Sequence, residues 1–138
     1  MRILFFGDIV GDLGLKALGQ LLPNLRHKDD ADFVIANGEN VSRGMGIIEK
    51  DYESLLEIGV DAVTLGNHWC SKKQIVDYIE DADQLIRPLN LLEFDKGVGS
   101  AVLDVNGVDI RVTNIMGKAF MKEEVASPYA KFVELLNE

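Results

Sequence analysis

The chain has 138 residues, 47% of them apolar, enough to bury one core without disulfides or a structural metal, and 1–138 reads as a single domain. A formal charge of -9 excludes a general binder of nucleic acid or of anionic membranes, because those partners reward clustered Lys and Arg through counterion release. The lone cysteine, Cys70, cannot form an internal disulfide, no window is apolar enough to span a bilayer, and the chain opens on a short strand rather than a charged leader, so a cytoplasmic location is expected.

The apolar run Arg2 to Phe6 predicts a first strand that stops at Gly7-Asp8. Leu18, Leu21, Leu22 and Leu25 then recur at helical spacing and predict one apolar helix face. Gly7, Gly11 and Gly14 do not make a dinucleotide fingerprint, since Ile9 stands where a second glycine would let the backbone approach a pyrophosphate. Gly11 and Gly14 are read as shaping the turn, and His27, in the solvated run His27-Lys28-Asp29-Asp30, as a surface residue. Phe33-Val34-Ile35 predicts a buried parallel strand that leads into Asn37-Gly38-Glu39-Asn40. The loop Ser42-Arg43-Gly44-Met45-Gly46 follows, and in it Arg43 is as readily an exposed side chain as a contact for substrate phosphate.

Glu49 to Glu57 predicts a second helix with Tyr52, Leu55 and Leu56 turned inward and Gly59 as its C-terminal cap. Val60 to Leu65 predicts a third strand ending at Gly66-Asn67-His68, with Ser71 as N-cap of a helix holding Ile75, Val76 and Ile79. Three βα units in succession favour a parallel sheet with right-handed crossovers. Pro88 argues against a central strand in Leu85 to Asn90. Asn106-Gly107 between two alternating runs predicts a hairpin, and Ser127-Pro128 predicts the start of a last helix.

Three predicted strands end in polar residues. Ligand groups in open α/β sheets gather past the carboxyl ends of strands, and here those ends deliver the carboxylates Asp8 and Glu39, the amides Asn40 and Asn67, and the imidazole of His68. Oxygen and nitrogen donors of this kind hold hydrolytic metal ions. Glu39, coming from the middle strand of the three, is the candidate to bridge two cations, with Asp8 and Asn67 completing one shell each. His68 is placed to protonate a departing alkoxide, since imidazole ordinarily titrates near working pH. Each residue also has a plain structural reading: Asp8 as a turn or capping residue, Glu39 and Asn40 as the close of a turn, Gly-Asn-His as a turn of its own. Cys70 reads as packing rather than as a thiolate ligand. On the residues alone this is a polar site at the rim of an α/β sheet, with metal binding open.

With Met1-Arg2-Ile3-Leu4-Phe5-Phe6-Gly7-Asp8-Ile9-Val10-Gly11, Asn37-Gly38-Glu39-Asn40, Gly44-Met45-Gly46, Leu65-Gly66-Asn67-His68 and Arg87-Pro88-Leu89-Asn90 in this order, the chain resembles the calcineurin-like metallophosphoesterases. More narrowly it resembles their bacterial YmdB-type branch, metal-dependent phosphodiesterases acting on cyclic nucleotides. The resemblance implies an αββα sandwich, here a partial one made of three βα units and a C-terminal β-hairpin plus helix. It implies two divalent cations, iron or manganese, with Asp8 on one, Glu39 bridging both, Asn67 on the second and Asn40 in or beside the shell. His68 would be the catalytic proton donor, a metal-bridging hydroxide the nucleophile and a small phosphodiester the substrate.

The chain departs from that family in two ways. Members are about twice as long, and their second half brings further metal-binding histidines, whereas the only histidines here are His27 and His68. Trp69-Cys70-Ser71 also replaces the family's usual Thr-Trp-Asp after the proton donor. The expectation is therefore the N-terminal half of a phosphodiesterase, its cations loosely or incompletely bound and its turnover small without a C-terminal-half partner. The rival expectation is a truncated, catalytically inactive scaffold acting as an interaction or regulatory protein, prone to self-association through an exposed sheet edge. A third is a nucleotide-binding module built on the Gly44-Met45-Gly46 loop.

Overall fold

The computed structural model describes residues 1–137 except Glu93. Strands β1 (Ile3–Phe6), β2 (Phe33–Asn37), β3 (Ala62–Thr64) and β4 (Leu85–Ile86) form a parallel sheet in that order. Between them run helices α1 (Gly11–Lys28), α2 (Glu49–Ile58) and the short α3 (Ile75–Tyr78). A separate antiparallel ribbon, β5 (Ser100–Val105) and β6 (Val108–Thr113), precedes helix α4 (Pro128–Leu136).

Alternation along the strands sorts the side chains into two layers. Val34, Ala36, Val63 and Leu85 turn to one face and pack with Leu18 and Leu22 of α1, Tyr52 and Leu55 of α2, and Ile75 and Tyr78 of α3. Phe33, Ala62 and Ile86 turn to the other face and pack on Val105 and Val112 of the ribbon. The order is helices, parallel sheet, antiparallel ribbon, the α/β arrangement expected of a partial sandwich. Both central ribbon-turn residues take positive φ, Asn106 at 56° and Gly107 at 83°, which gives the two-residue loop the twist its strands need. Gly59, at φ 106°, caps α2 with its N–H on the Leu55 and Leu56 carbonyls, and Ser127 accepts from Ala130 N–H at the start of α4.

Two local expectations are corrected. Leu21 does not face the core: it is 57% exposed, because the buried line of α1 runs through Leu18 and Leu22, leaving Leu21 over the open side of β1. Ser71 caps nothing, and α3 is only one turn long, preceded by tight turns such as Ile75 N–H to Lys72 O. The cause is tertiary: the loop holding Gly46 packs so closely on this segment that a Cβ at Gly46 would stand 2.8 Å from Lys72 Cγ. The Leu85 to Asn90 piece is, as expected, no central strand: it contributes two strand residues at the sheet edge, ending before Pro88.

Candidate functional site

Beyond Phe6 the chain turns sharply, and Asp8 takes φ 47°, a left-handed conformation that Asp tolerates better than bulkier residues. The exit loops of the strands are then bound together through their backbones. Ile9 N–H donates to Asn37 O and Gly11 N–H to Asn40 O, both at 2.9 Å, joining the β1 exit to the β2 exit. Gly38 N–H donates to Thr64 O at 2.9 Å, joining β2 to β3. A Cβ at Gly38 would lie 2.9 Å from Val63 Cγ1, so only glycine lets the β2 exit lie this close to β3.

On this frame the side chains of all three loops meet. Asn40 Nδ2 donates to Asp8 Oδ1 at 2.7 Å, and Asn40 Oδ1 lies 2.6 Å from His68 Nδ1. The Glu39 carboxylate accepts the His68 backbone N–H at 3.1 Å and lies directly against Gly66, where any Cβ would collide with it. Asn67 is half-buried, and among the described residues its amide has no hydrogen-bond partner.

The contacts fix a protonation pattern. A carboxylate can only accept, so Asp8 dictates which end of the Asn40 amide faces it; the amide oxygen is thereby turned to His68, and the imidazole must carry its hydrogen on Nδ1. Nε2 is left as the nitrogen that exchanges a proton. Asn40 thus links Asp8 to His68, spanning residues 32 and 28 positions away from it in the chain.

In kind, the donor set fits a divalent cation: two carboxylates and a free amide oxygen are hard ligands. Among the described residues neither Asp8 nor Glu39 is paired with Lys or Arg, so the rim presents uncompensated negative charge. Among the described residues no group of three or more His, Cys, Asp or Glu stands together. These residues would supply part of a shell.

The other sequence candidates fall elsewhere. Arg43, at φ 57°, lines a neighbouring cleft of about 440 Å³ with Asp12, Ser42, Lys50, Asp51, Lys72 and Gln74. His27 is exposed near the C-terminal end of α1, and Cys70 packs against the core. Sequence reasoning missed Asn114, whose Nδ2 donates to Leu65 O at 2.5 Å and Ile86 O at 3.0 Å and so fixes the strand end from which Gly66, Asn67 and His68 spring. It also missed Gly66 as the seat of the Glu39 carboxylate, although a glycine directly before a polar pair at a strand end is a signal of close approach.

A polar rim of this composition at the carboxyl ends of a parallel sheet, with an antiparallel ribbon behind it, defines a metallophosphoesterase-like fold. The chain belongs to the YmdB-like protein family, whose sequence signature matches residues 4–138. It is 41% identical, over 138 residues, to the 2′,3′-cyclic-nucleotide 2′-phosphodiesterase of Bacillus subtilis, all of this chain aligning with 52% of that protein. The crystal structure of a hypothetical protein from Thermus thermophilus superposes with a TM-score of 0.91 at 39% identity, covering 100% of this chain and 53% of that one. That of a novel phosphatase from Mycoplasma pneumoniae gives a TM-score of 0.92 at 34% identity, covering 99% of this chain and 50% of the other. The chain spans about half the length of the curated relatives it matches. Among the described residues no helix is long and apolar enough to cross a membrane.

Proposed function

We propose that this chain supplies one side of a metal-dependent phosphodiesterase site, acting in the cytoplasm on a small phosphodiester such as a cyclic nucleotide. The carrying observation is the hydrogen-bonded line from Asp8 through Asn40 to His68 Nδ1, which presets an imidazole beside two carboxylates that among the described residues have no Lys or Arg partner. The name of the Bacillus subtilis relative sets the substrate class expected here.

In hydrolysis a water oxygen bonds to phosphorus, the bond from phosphorus to the departing alkoxide breaks, and that alkoxide must gain a proton. With Nδ1–H held by Asn40, His68 in its imidazolium form gives up the Nε2 proton to the alkoxide, a contribution of about 10²–10⁴ in rate for a positioned acid. Asp8 and Glu39 would hold divalent cations, iron or manganese, with the Asn67 amide oxygen as a neutral donor. Bound cations of this kind offset phosphate charge and acidify an attacking water. Asn40 keeps the imidazole in the useful tautomer while pinning the Asp8 carboxylate.

Because the chain spans about half the length of its relatives, Mn²⁺ uptake is the primary readout and little turnover is expected from the isolated chain. Titration calorimetry with Mn²⁺, together with hydrolysis of a chromogenic phosphodiester, should be run on the wild type, Asp8→Asn and His68→Ala. The expected pattern is Mn²⁺ binding by the wild type and by His68→Ala, and its loss in Asp8→Asn. Equal behaviour of the wild type and Asp8→Asn would reject the reading. A second reading, an inactive scaffold acting as an interaction protein, draws on the exposed apolar residues of β1 at the sheet edge and predicts a stable metal-free oligomer with no Mn²⁺ response.

A further inference from the structure

The cleft beside the rim has a charge unlike that of the rest of the chain. Its volume is about 440 Å³, and Arg43, Lys50 and Lys72 line it with only Asp12 and Asp51 to oppose them, an excess of one positive charge in a chain whose formal charge is -9. Among the described residues none of these three cationic side chains has an ion-pair or hydrogen-bond partner. The Asp51 carboxylate, by contrast, is already engaged, accepting the Ser42 hydroxyl at 2.5 Å.

The cations are also held in place. Ser42 is 2% exposed, its hydroxyl accepts the Ile48 N–H at 2.8 Å, and its own N–H donates to Gly46 O at 3.0 Å, which pins the loop that carries Arg43. Lys72 is half-buried, its stem lying against Gly46. Glycine occupies positions 44 and 46 of this loop, where φ is 85° and 76°, yet arginine occupies position 43 at φ 57°, a conformation that is strained for arginine and free for glycine. Strain of that kind, at a side chain facing a cleft, points to a use for the side chain.

We propose that this cleft binds a phosphate dianion, free or carried on a sugar, without a metal ion. Like-charged side chains fixed around one concavity raise the local concentration of anions. The Arg43 guanidinium can fork to two phosphate oxygens, while Lys50 and Lys72 act as point charges. A volume of about 440 Å³ falls within the usual range for small-ligand sites and leaves room for a sugar behind the phosphate. Ile48 is the one apolar side chain among those lining the cleft, so recognition rests on phosphate and sugar rather than on a base. The inference rests on the cleft and stands whether or not the rim binds metal.

The test is titration calorimetry of the 138-residue chain with inorganic phosphate, ribose 5-phosphate and dimethyl phosphate, at low salt and with EDTA present. Ribose 5-phosphate and inorganic phosphate should bind, and the singly charged dimethyl phosphate should bind about tenfold more weakly. A tighter fit for ribose 5-phosphate assigns the site to sugar phosphates, and equal affinity assigns it to the free anion. Arg43→Gly suits the backbone at that position, so it removes the guanidinium without a misfolding risk, and it should weaken binding about tenfold to a hundredfold, as should Lys72→Ala. Lys28→Ala, at the exposed end of α1, and Asp8→Asn, in the rim, should leave binding unchanged. No binding of either dianion up to about 10 mM would overturn the proposal. Binding indifferent to Arg43→Gly and Lys72→Ala would overturn it too, as would binding abolished by Asp8→Asn, which would place the anion at the rim.

Discussion

The two edges of the parallel sheet have been treated in opposite ways. At the β4 edge Leu85 and Ile86 are fully buried, and the following chain folds back so that Val98 bridges to Ile86 and accepts from the Arg87 N–H at 2.9 Å. Arg87 is 7% exposed, and its guanidinium donates to Lys96 O, Pro88 O and Gly97 O and sits 5.5 Å from the Phe94 ring, which packs on Trp69 next to His68. At the β1 edge, Ile3 and Phe5 are exposed and Phe6 borders a hollow. The difference runs through the site: His68 and Glu39 are mounted on the closed flank, while Asp8 hangs from the open one and is tied in by Asn40.

Breaking the closed edge should have the largest effect. Arg87→Met removes every guanidinium donor and strands several carbonyls, at a cost of about 3 kcal/mol, read as a fall in the urea midpoint. If stability hardly changes, the buried arginine is not what closes that flank. Next comes Gly66→Ala, which pushes the Glu39 carboxylate off its seat. Overpacking of this kind costs about 1–3 kcal/mol, and displacing the carboxylate should lower Mn²⁺ affinity about 10–100-fold, as loss of a ligand's supporting contacts does elsewhere. Calorimetry on the folded variant checks it.

A smaller effect is expected from Tyr78, on the helix layer of the closed flank, whose hydroxyl donates to Ile47 O at 3.2 Å. Burial first, then the negative charges of Glu49, Tyr52 and Asp51, push its phenol well above the ordinary value of 10.0. The native chain therefore keeps a proton that the unfolded chain releases near pH 10.0, so stability is intact below that pH and falls as the pH climbs past it. Tyr78→Phe should cost about 1 kcal/mol at neutral pH through the lost hydrogen bond. It should also shallow the alkaline decline, as followed in urea titrations from pH 8 to 11.

The polar rim was legible because each cluster follows an apolar run, and Asp8, Glu39, Asn40, Asn67 and His68 do sit at neighbouring strand ends. The histidine tautomer was not legible, since it depends on one contact between Asn40 and His68 and on the amide orientation that Asp8 imposes. Local capping preference at Ser71 gave way to packing of the Gly46 loop, as tertiary contacts commonly override weak local signals. The Leu21 reading fails for a different reason: a leucine at helical spacing implies a core that, on this side, the chain does not complete. The same applies to β1, whose central-strand composition only becomes informative once the sheet order shows it at an edge.

The smallest effect expected is on the stability of the isolated chain when that edge is altered. Phe5 is 61% exposed, so Phe5→Lys gives up little buried area and should shift the unfolding free energy by no more than about 0.5 kcal/mol, the usual range for exposed positions away from special contacts. An equally drastic change at the other edge, Ile86→Lys, places a charge where exposure is 0% and should unfold the chain. Parallel urea titrations of the two variants compare the edges directly. If Phe5→Lys proves as damaging as Ile86→Lys, the β1 edge is already covered in the isolated chain and the contrast between the flanks fails.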